Sequence, residues 1–166
     1  MLFLALMGTA QKTTDMNTEK WTIVETVTQL FVATDSSNWQ KLQAVLADSV
    51  QLDYSSMNNQ PASMTSPTEI IEQWSAVLPG FDFTHHQLGN FMVEINGETA
   101  HCFCYGTATH YLESDEGNIW TVVGTYDFDL QKENNQWIIT AIRFNHKYQS
   151  GNAKLISMAI ENQQEK

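Results

Sequence analysis

Residues 99–112 read Thr-Ala-His-Cys-Phe-Cys-Tyr-Gly-Thr-Ala-Thr-His-Tyr-Leu. Side chains alternate along a strand, so Cys102, Cys104, Gly106, Ala108 and His110 share one face. Phe103, Tyr105, Thr107, Thr109 and Tyr111 share the other. One face is small and ends in a histidine; the other is bulky. A strand packed flat against a helix prefers larger inward residues. A small face ending in an imidazole suits an open cavity, and close helix–sheet packing with a rim histidine is the alternative reading.

The period-two pattern continues outward from this stretch. Strands are expected at about 81–88, 91–96, 119–132 and 136–146, with a tight hairpin at Asn96-Gly97. Upstream the period changes. Trp21, Val24, Val27, Leu30 and Phe31 recur at helical spacing over 18–34, and a second helix is expected over 37–47. A short strand at 50–54 and a polar loop at 55–65 follow. Ser66-Pro67-Thr68-Glu69 then opens a third helix, with Ser66 as cap, Pro67 in the first turn and Glu69 able to reach back. Pro79-Gly80 stops it, and a weak helix is expected after Gly151-Asn152. Helices gathered before a long antiparallel meander describe an α+β domain. A strongly curved sheet around a helix makes a cone with one open mouth, a natural apolar pocket.

The 166 residues suit one domain, and charged residues are only 16%. Eight Lys and Arg stand against 19 Asp and Glu, for a net charge of -11, and Arg143 is the sole arginine. Polyanion binding needs clustered cations, so neither nucleic acid nor a membrane surface is an expected partner. A neutral or weakly polar ligand suits this composition better. Leu2–Met7 is apolar and is followed by small residues at 8 and 10, so residues 1–10 read as the remnant of a signal peptide and the protein as exported, the alternative being a frayed hydrophobic N-terminus on a cytoplasmic protein. Residues 11–17 then form a linker, 18–152 the domain and 153–166 a tail. Cys102 and Cys104, at i and i+2, do not suit a disulfide and read as small buried thiols. No metal is expected, because alternation sets His101 opposite both thiols. No Gly-rich phosphate loop and no Gly-x-Ser-x-Gly elbow is present.

The layout resembles the nuclear transport factor 2-like fold and, within it, the SnoaL-like family. The resemblance lies in Asp35-Ser36-Ser37-Asn38-Trp39, Leu52-Asp53-Tyr54 and Thr84-His85-His86-Gln87-Leu88-Gly89-Asn90. It continues through Asn96-Gly97-Glu98-Thr99-Ala100, Thr125-Tyr126, Trp137-Ile138-Ile139 and Gly151-Asn152. The catalytic pattern is similar to that of scytalone dehydratases, which eliminate water inside the cone. Asp35, Tyr54, His86 and His110 match its aspartate, one tyrosine and two histidines. Thr34 stands where that pattern has a second tyrosine. Val122 and Gly124 fall near its later serine and asparagine.

The resemblance implies a cofactor-independent acid–base enzyme, of dehydratase, isomerase or cyclase type, acting on a small hydrophobic carbonyl compound. It implies that Asp35 orients His110 as the base, with His86 and Tyr54 holding the leaving water or polarising the oxygen. Taken alone, Asp35 is equally suited to cap the second helix, and Tyr54 to be a core tyrosine with a wet tip. His85 and His86 are adjacent, and the Thr84-x-His86 spacing turns His86 inward. Trp74, Phe91, Trp120, Tyr126 and Phe128 are expected as apolar walls. Arg143 either orients an anionic substrate group or makes an ion pair at the sheet edge. The resemblance also implies a homodimer through the outer sheet face. A non-catalytic ligand-binding or dimerisation module of the same fold is the alternative, since fold does not fix function.

Overall fold

The computed structural model describes the backbone of residues 2–165 and the side chains of residues 16–165. The expected signal remnant at 1–10 lies outside the residues whose side chains are described. Among the described residues, the elements are α1 (Leu2–Asp35), α2 (Trp39–Gln43), β1 (Leu46–Asp53), α3 (Ser55–Asn58), β2 (Ser63–Thr65) and α4 (Pro67–Ser75). They continue with a 3-10 turn (Leu78–Gly80), β3 (Phe83–Asn96), β4 (Thr99–Tyr111), β5 (Ile119–Glu133), β6 (Gln136–Gly151) and α5 (Leu155–Gln164). No helix among these residues is long and apolar enough to cross a membrane.

The six strands form one open sheet in the order β2-β1-β6-β5-β4-β3. β1 runs parallel to β6, and every other neighbouring pair is antiparallel. The result is the expected α+β arrangement, a curved, unclosed mixed sheet with helices on its inner side. The core lies between α1 and the sheet. Ile23, Val27 and Leu30 of α1 are fully buried, as are Cys102, Cys104 and Phe128 of the sheet. The alternation in β4 places Cys102, Cys104, Gly106 and His110 inward, all buried.

Several elements depart from the sequence pattern. Residues 44–47 do not extend the second helix, because Leu46 already pairs with Ile139 at the start of β1. Pairing with a buried strand outweighs a weak local helix preference. The expected strands 81–88 and 91–96 are one strand, β3, with its register shifted between Gly89 and Met92. Asn90 lies there at φ 55, a conformation Asn tolerates better than most residues. The bulge reverses the parity of the strand. Before it His86 and Leu88 are the less exposed residues; after it Phe91, Val93 and Ile95 are. Residues 11–17, read as a linker, contain no glycine or proline and continue the α1 backbone. The Ser66–Glu69 capping box is present as expected, with both reciprocal hydrogen bonds made.

α5 closes one side of the cone. Its Leu155 and Ala159 are fully buried, and its Asn162 Nδ2 donates to the Gly80 carbonyl at 3.3 Å. A Cβ at Gly80 would stand 1.8 Å from the Ala159 carbonyl oxygen, a backbone atom with no rotamer to escape into. Gly80→Ala is therefore expected to cost about 1–3 kcal/mol. Thermal melting together with limited proteolysis of α5 checks this. A variant with unchanged melting and an uncut α5 contradicts the packing described.

Candidate active site

α1 ends at Asp35, an acidic residue at the helix terminus where the dipole disfavours negative charge. The carboxylate is held there by β3. Its Oδ1 accepts from Thr84 Oγ1 at 2.8 Å and lies 2.7 Å from His86 Nδ1, while Oδ2 accepts from the His86 backbone N–H at 2.8 Å. Burial raises the Asp35 carboxyl, but the hydrogen bonds and charge of His86, with the bond from Thr84, outweigh it and keep the group below its ordinary value. A carboxylate can only accept, so Nδ1 is the protonated nitrogen of His86. Phe31, one turn before Asp35, stacks on the His86 ring at 4.9 Å and 17°. The ring is thus fixed by a carboxylate on one edge and a phenyl on one face.

His110 is the diagonal neighbour of His86, because Thr84 pairs with His110 and His86 with Ala108. The two imidazoles meet edge to face at 5.9 Å. His110 is 5% exposed, stacked on Trp120 at 4.6 Å and tilted against Phe81 at 4.9 Å. Burial, and then the charge of His86, push it down to about 4, so it is neutral at physiological pH. Its Nδ1 lies 3.4 Å from the Trp120 carbonyl, which can only accept. That leaves Nε2 as an acceptor. The expected Asp35–His110 pair is therefore corrected: Asp35 braces His86, and His110 is held by a backbone carbonyl. The sequence could not separate the two because both histidines face inward on neighbouring strands. Nor does Asp35 cap α2; Asn38 does.

Both histidines line a cavity of about 210 Å³ bounded by α1, α4, α5 and the sheet. Tyr54, Trp74, Trp120 and Tyr126 line it as expected. Burial holds the Tyr54 phenol above its ordinary value against a hydrogen bond from Tyr126, and burial likewise raises Tyr126 well above its own. Both remain O–H donors. No lysine, arginine, aspartate or glutamate among the described residues lines the cavity.

Two expected wall residues and Arg143 lie elsewhere. Phe91 follows the bulge and packs toward Trp21 and Val24 of α1, away from the cavity. Phe128 is fully buried behind Tyr126, stacked on it at 5.6 Å, and belongs to the core. Arg143 points off the outer face, 57% exposed, and its Nε donates to Asp53 Oδ2 at 3.0 Å. The ion-pair reading of Arg143 holds, and its place as a substrate ligand does not.

The sequence reading missed Phe31, Phe81 and Phe144, and Ile156 of α5. The one-turn spacing of Phe31 and Asp35 was the available signal for the first. A second signal lay in two glycines. Gly106 and Gly124 pair directly across β4 and β5. A Cβ at Gly106 would meet the Tyr126 ring at 2.4 Å, and one at Gly124 the Phe144 ring at 2.5 Å. The missing side chains let those two rings lie along the sheet and form the cavity floor.

The sequence of residues 17–143 matches the SnoaL-like domain family. The chain belongs to this family. Its fold agrees with solved nuclear transport factor 2-like structures. The Kfla4162 protein of Kribbella flavida superimposes with a TM-score of 0.80 at 23% identity, over 86% of this chain and 99% of its own. A candidate scytalone dehydratase from Novosphingobium aromaticivorans gives 0.70 at 17% identity, over 84% and 91%. A hexachlorocyclohexane dehydrochlorinase, LinA type 2, gives 0.71 at 12% identity, over 84% and 92%. These likenesses establish the fold. No curated protein matches this SnoaL-like chain in sequence.

Proposed function

We propose that this SnoaL-like protein is a cofactor-independent acid–base enzyme that removes a proton next to a carbonyl and expels a leaving group from the adjacent carbon. The observation that carries this reading is the Asp35–His86 pair at 2.7 Å, opening onto an apolar cavity across from a neutral imidazole. His86 Nε2, the nitrogen Asp35 leaves unused, takes the proton. The C–H electron pair first forms an enolate, whose carbonyl is then restored as the new C=C bond forms and the leaving hydroxyl departs with its own pair. The imidazolium, balanced by Asp35, returns the proton to that hydroxyl and releases water. Tyr54, which accepts from Tyr126, donates its own O–H to the carbonyl oxygen where negative charge develops. His110 Nε2 accepts from the substrate hydroxyl and orients it. Relatives of the same fold that carry dehydratase and dehydrochlorinase names support elimination as the reaction class. The test is dehydration of a β-hydroxy ring ketone, 3-hydroxycyclohexanone, followed by enone absorbance in water and by deuterium uptake at the α-carbon in D2O. Appearance of both is expected, and absence of both overturns the reading.

The chain is further proposed to pair with a second copy through the outer sheet face. Phe83, Met92, Tyr105 and Tyr148 are all exposed there. An apolar face of this kind marks an interaction site. Sedimentation is expected to give a dimer that Tyr105→Glu dissociates. A wild-type monomer contradicts this.

A further inference from the structure

The cavity also specifies what it accepts, and this inference rests on the acid–base reading of the same site. We propose that it selects an uncharged molecule of one ring bearing a neutral acceptor oxygen, and that it rejects carboxylates and fused rings.

Size sets the first limit. An apolar cavity of about 150 Å³ holds benzene. At about 210 Å³, this one takes a single ring and a few substituent atoms. Shape sets the second. Phe31, Trp74, Phe81, Trp120, Tyr126 and Phe144 supply aromatic surface around the space, which favours a ring over a flexible chain.

Charge sets the third. A buried carboxylate must find a counter-charge or lose its hydration for nothing. None is offered. No lysine or arginine among the described residues lines the cavity, and Arg143 is engaged with Asp53 outside. His110 is neutral, and Asp35 behind His86 is itself negative. The polar side chains that line the space are two phenols, two imidazoles, the Thr34 hydroxyl and the Gln73 amide, which suit a carbonyl or hydroxyl oxygen.

The test is calorimetric titration of the full chain at pH 7.5 with 2-cyclohexen-1-one, benzoate and α-tetralone. Saturable binding of the cyclohexenone is expected, with benzoate and α-tetralone at least about tenfold weaker. Ala108→Phe, which fills the cavity from β4, is expected to abolish binding. Thr109→Ala, on the outer face of β4, is expected to keep it, with melting curves confirming that both variants fold. Benzoate or α-tetralone binding as tightly as the cyclohexenone overturns the inference, as does absence of cyclohexenone binding. Selective binding without any dehydration would sink the catalytic reading and leave this one standing. Dehydration of a charged or fused-ring ketone in preference to a neutral one-ring ketone would do the reverse.

Discussion

His86→Ala is expected to lower the rate of enone formation from 3-hydroxycyclohexanone by about 10²–10⁴-fold, the usual contribution of a positioned general base. The fold is expected to persist, because the ring occupies a cavity wall rather than the packed core. Asp35→Asn is expected to cost about 10²-fold or more. An amide keeps the shape but removes the charge that balances the imidazolium and no longer dictates which nitrogen holds the proton. The double variant is expected to be about as slow as the worse single one, since the two groups act as a unit. Thr84→Val removes one of the bonds on Asp35 and is expected to fall between these and wild type. A His86→Ala protein that turns over at the wild-type rate would falsify the assignment of the base.

The second large effect is on stability in acid. His110 is neutral in the folded protein down to about 4, whereas the same imidazole in the unfolded chain protonates near 6.5. Between those values the unfolded state binds the extra proton, so stability is full above 6.5 and falls as the pH drops toward 4. The full loss is about 3 kcal/mol. Asp35 acts in the same direction but at lower pH, since its carboxyl is held below 3.8. His101 acts in the opposite sense. Its ring lies 3.0 Å from Asp129 and 3.1 Å from Asp127, and the Asp129 bond leads in raising it. It therefore stabilises below 6.5 and loses that contribution as the pH rises through its raised value. Its partial exposure keeps that term small. Urea unfolding at pH 7, 6, 5 and 4 is expected to show the acid loss in wild type and a flattened dependence in His110→Gln. Equal slopes in the two proteins contradict a buried neutral His110.

Most of the architecture was legible because hydrophobic period and turn chemistry agreed with each other. The capping box at Ser66–Glu69, the Asn96-Gly97 hairpin and the alternating face of β4 each specify their own local geometry. What failed were places where distant pairing or a single backbone kink decided the outcome. Leu46 reads as helix until Ile139 is brought beside it. Phe91 reads as a cavity wall until the Asn90 bulge shifts the inward set by one residue.

Asp35, His86, His110 and Tyr54 were expected together, and the structure brings His86, His110 and Tyr54 to one cavity with Asp35 behind His86. Their partnership was not legible. Two inward histidines on neighbouring strands compete for one carboxylate, and only the position of the α1 terminus relative to Thr84 settles which receives it. Arg143 stood between two readings in the sequence for a related reason. The register shift between Asp129 and Leu130 displaces β6 against β5, so counting along β6 does not reveal its inner face.

The bracing of His86 is open to direct observation by a long-range proton–nitrogen correlation spectrum of the ring. For the neutral ring, the structure requires the proton on Nδ1, against Asp35, and a bare Nε2 toward the cavity, with that preference lost in Asp35→Asn. A neutral His86 carrying its proton on Nε2, or one whose tautomer is indifferent to Asp35, would contradict the account.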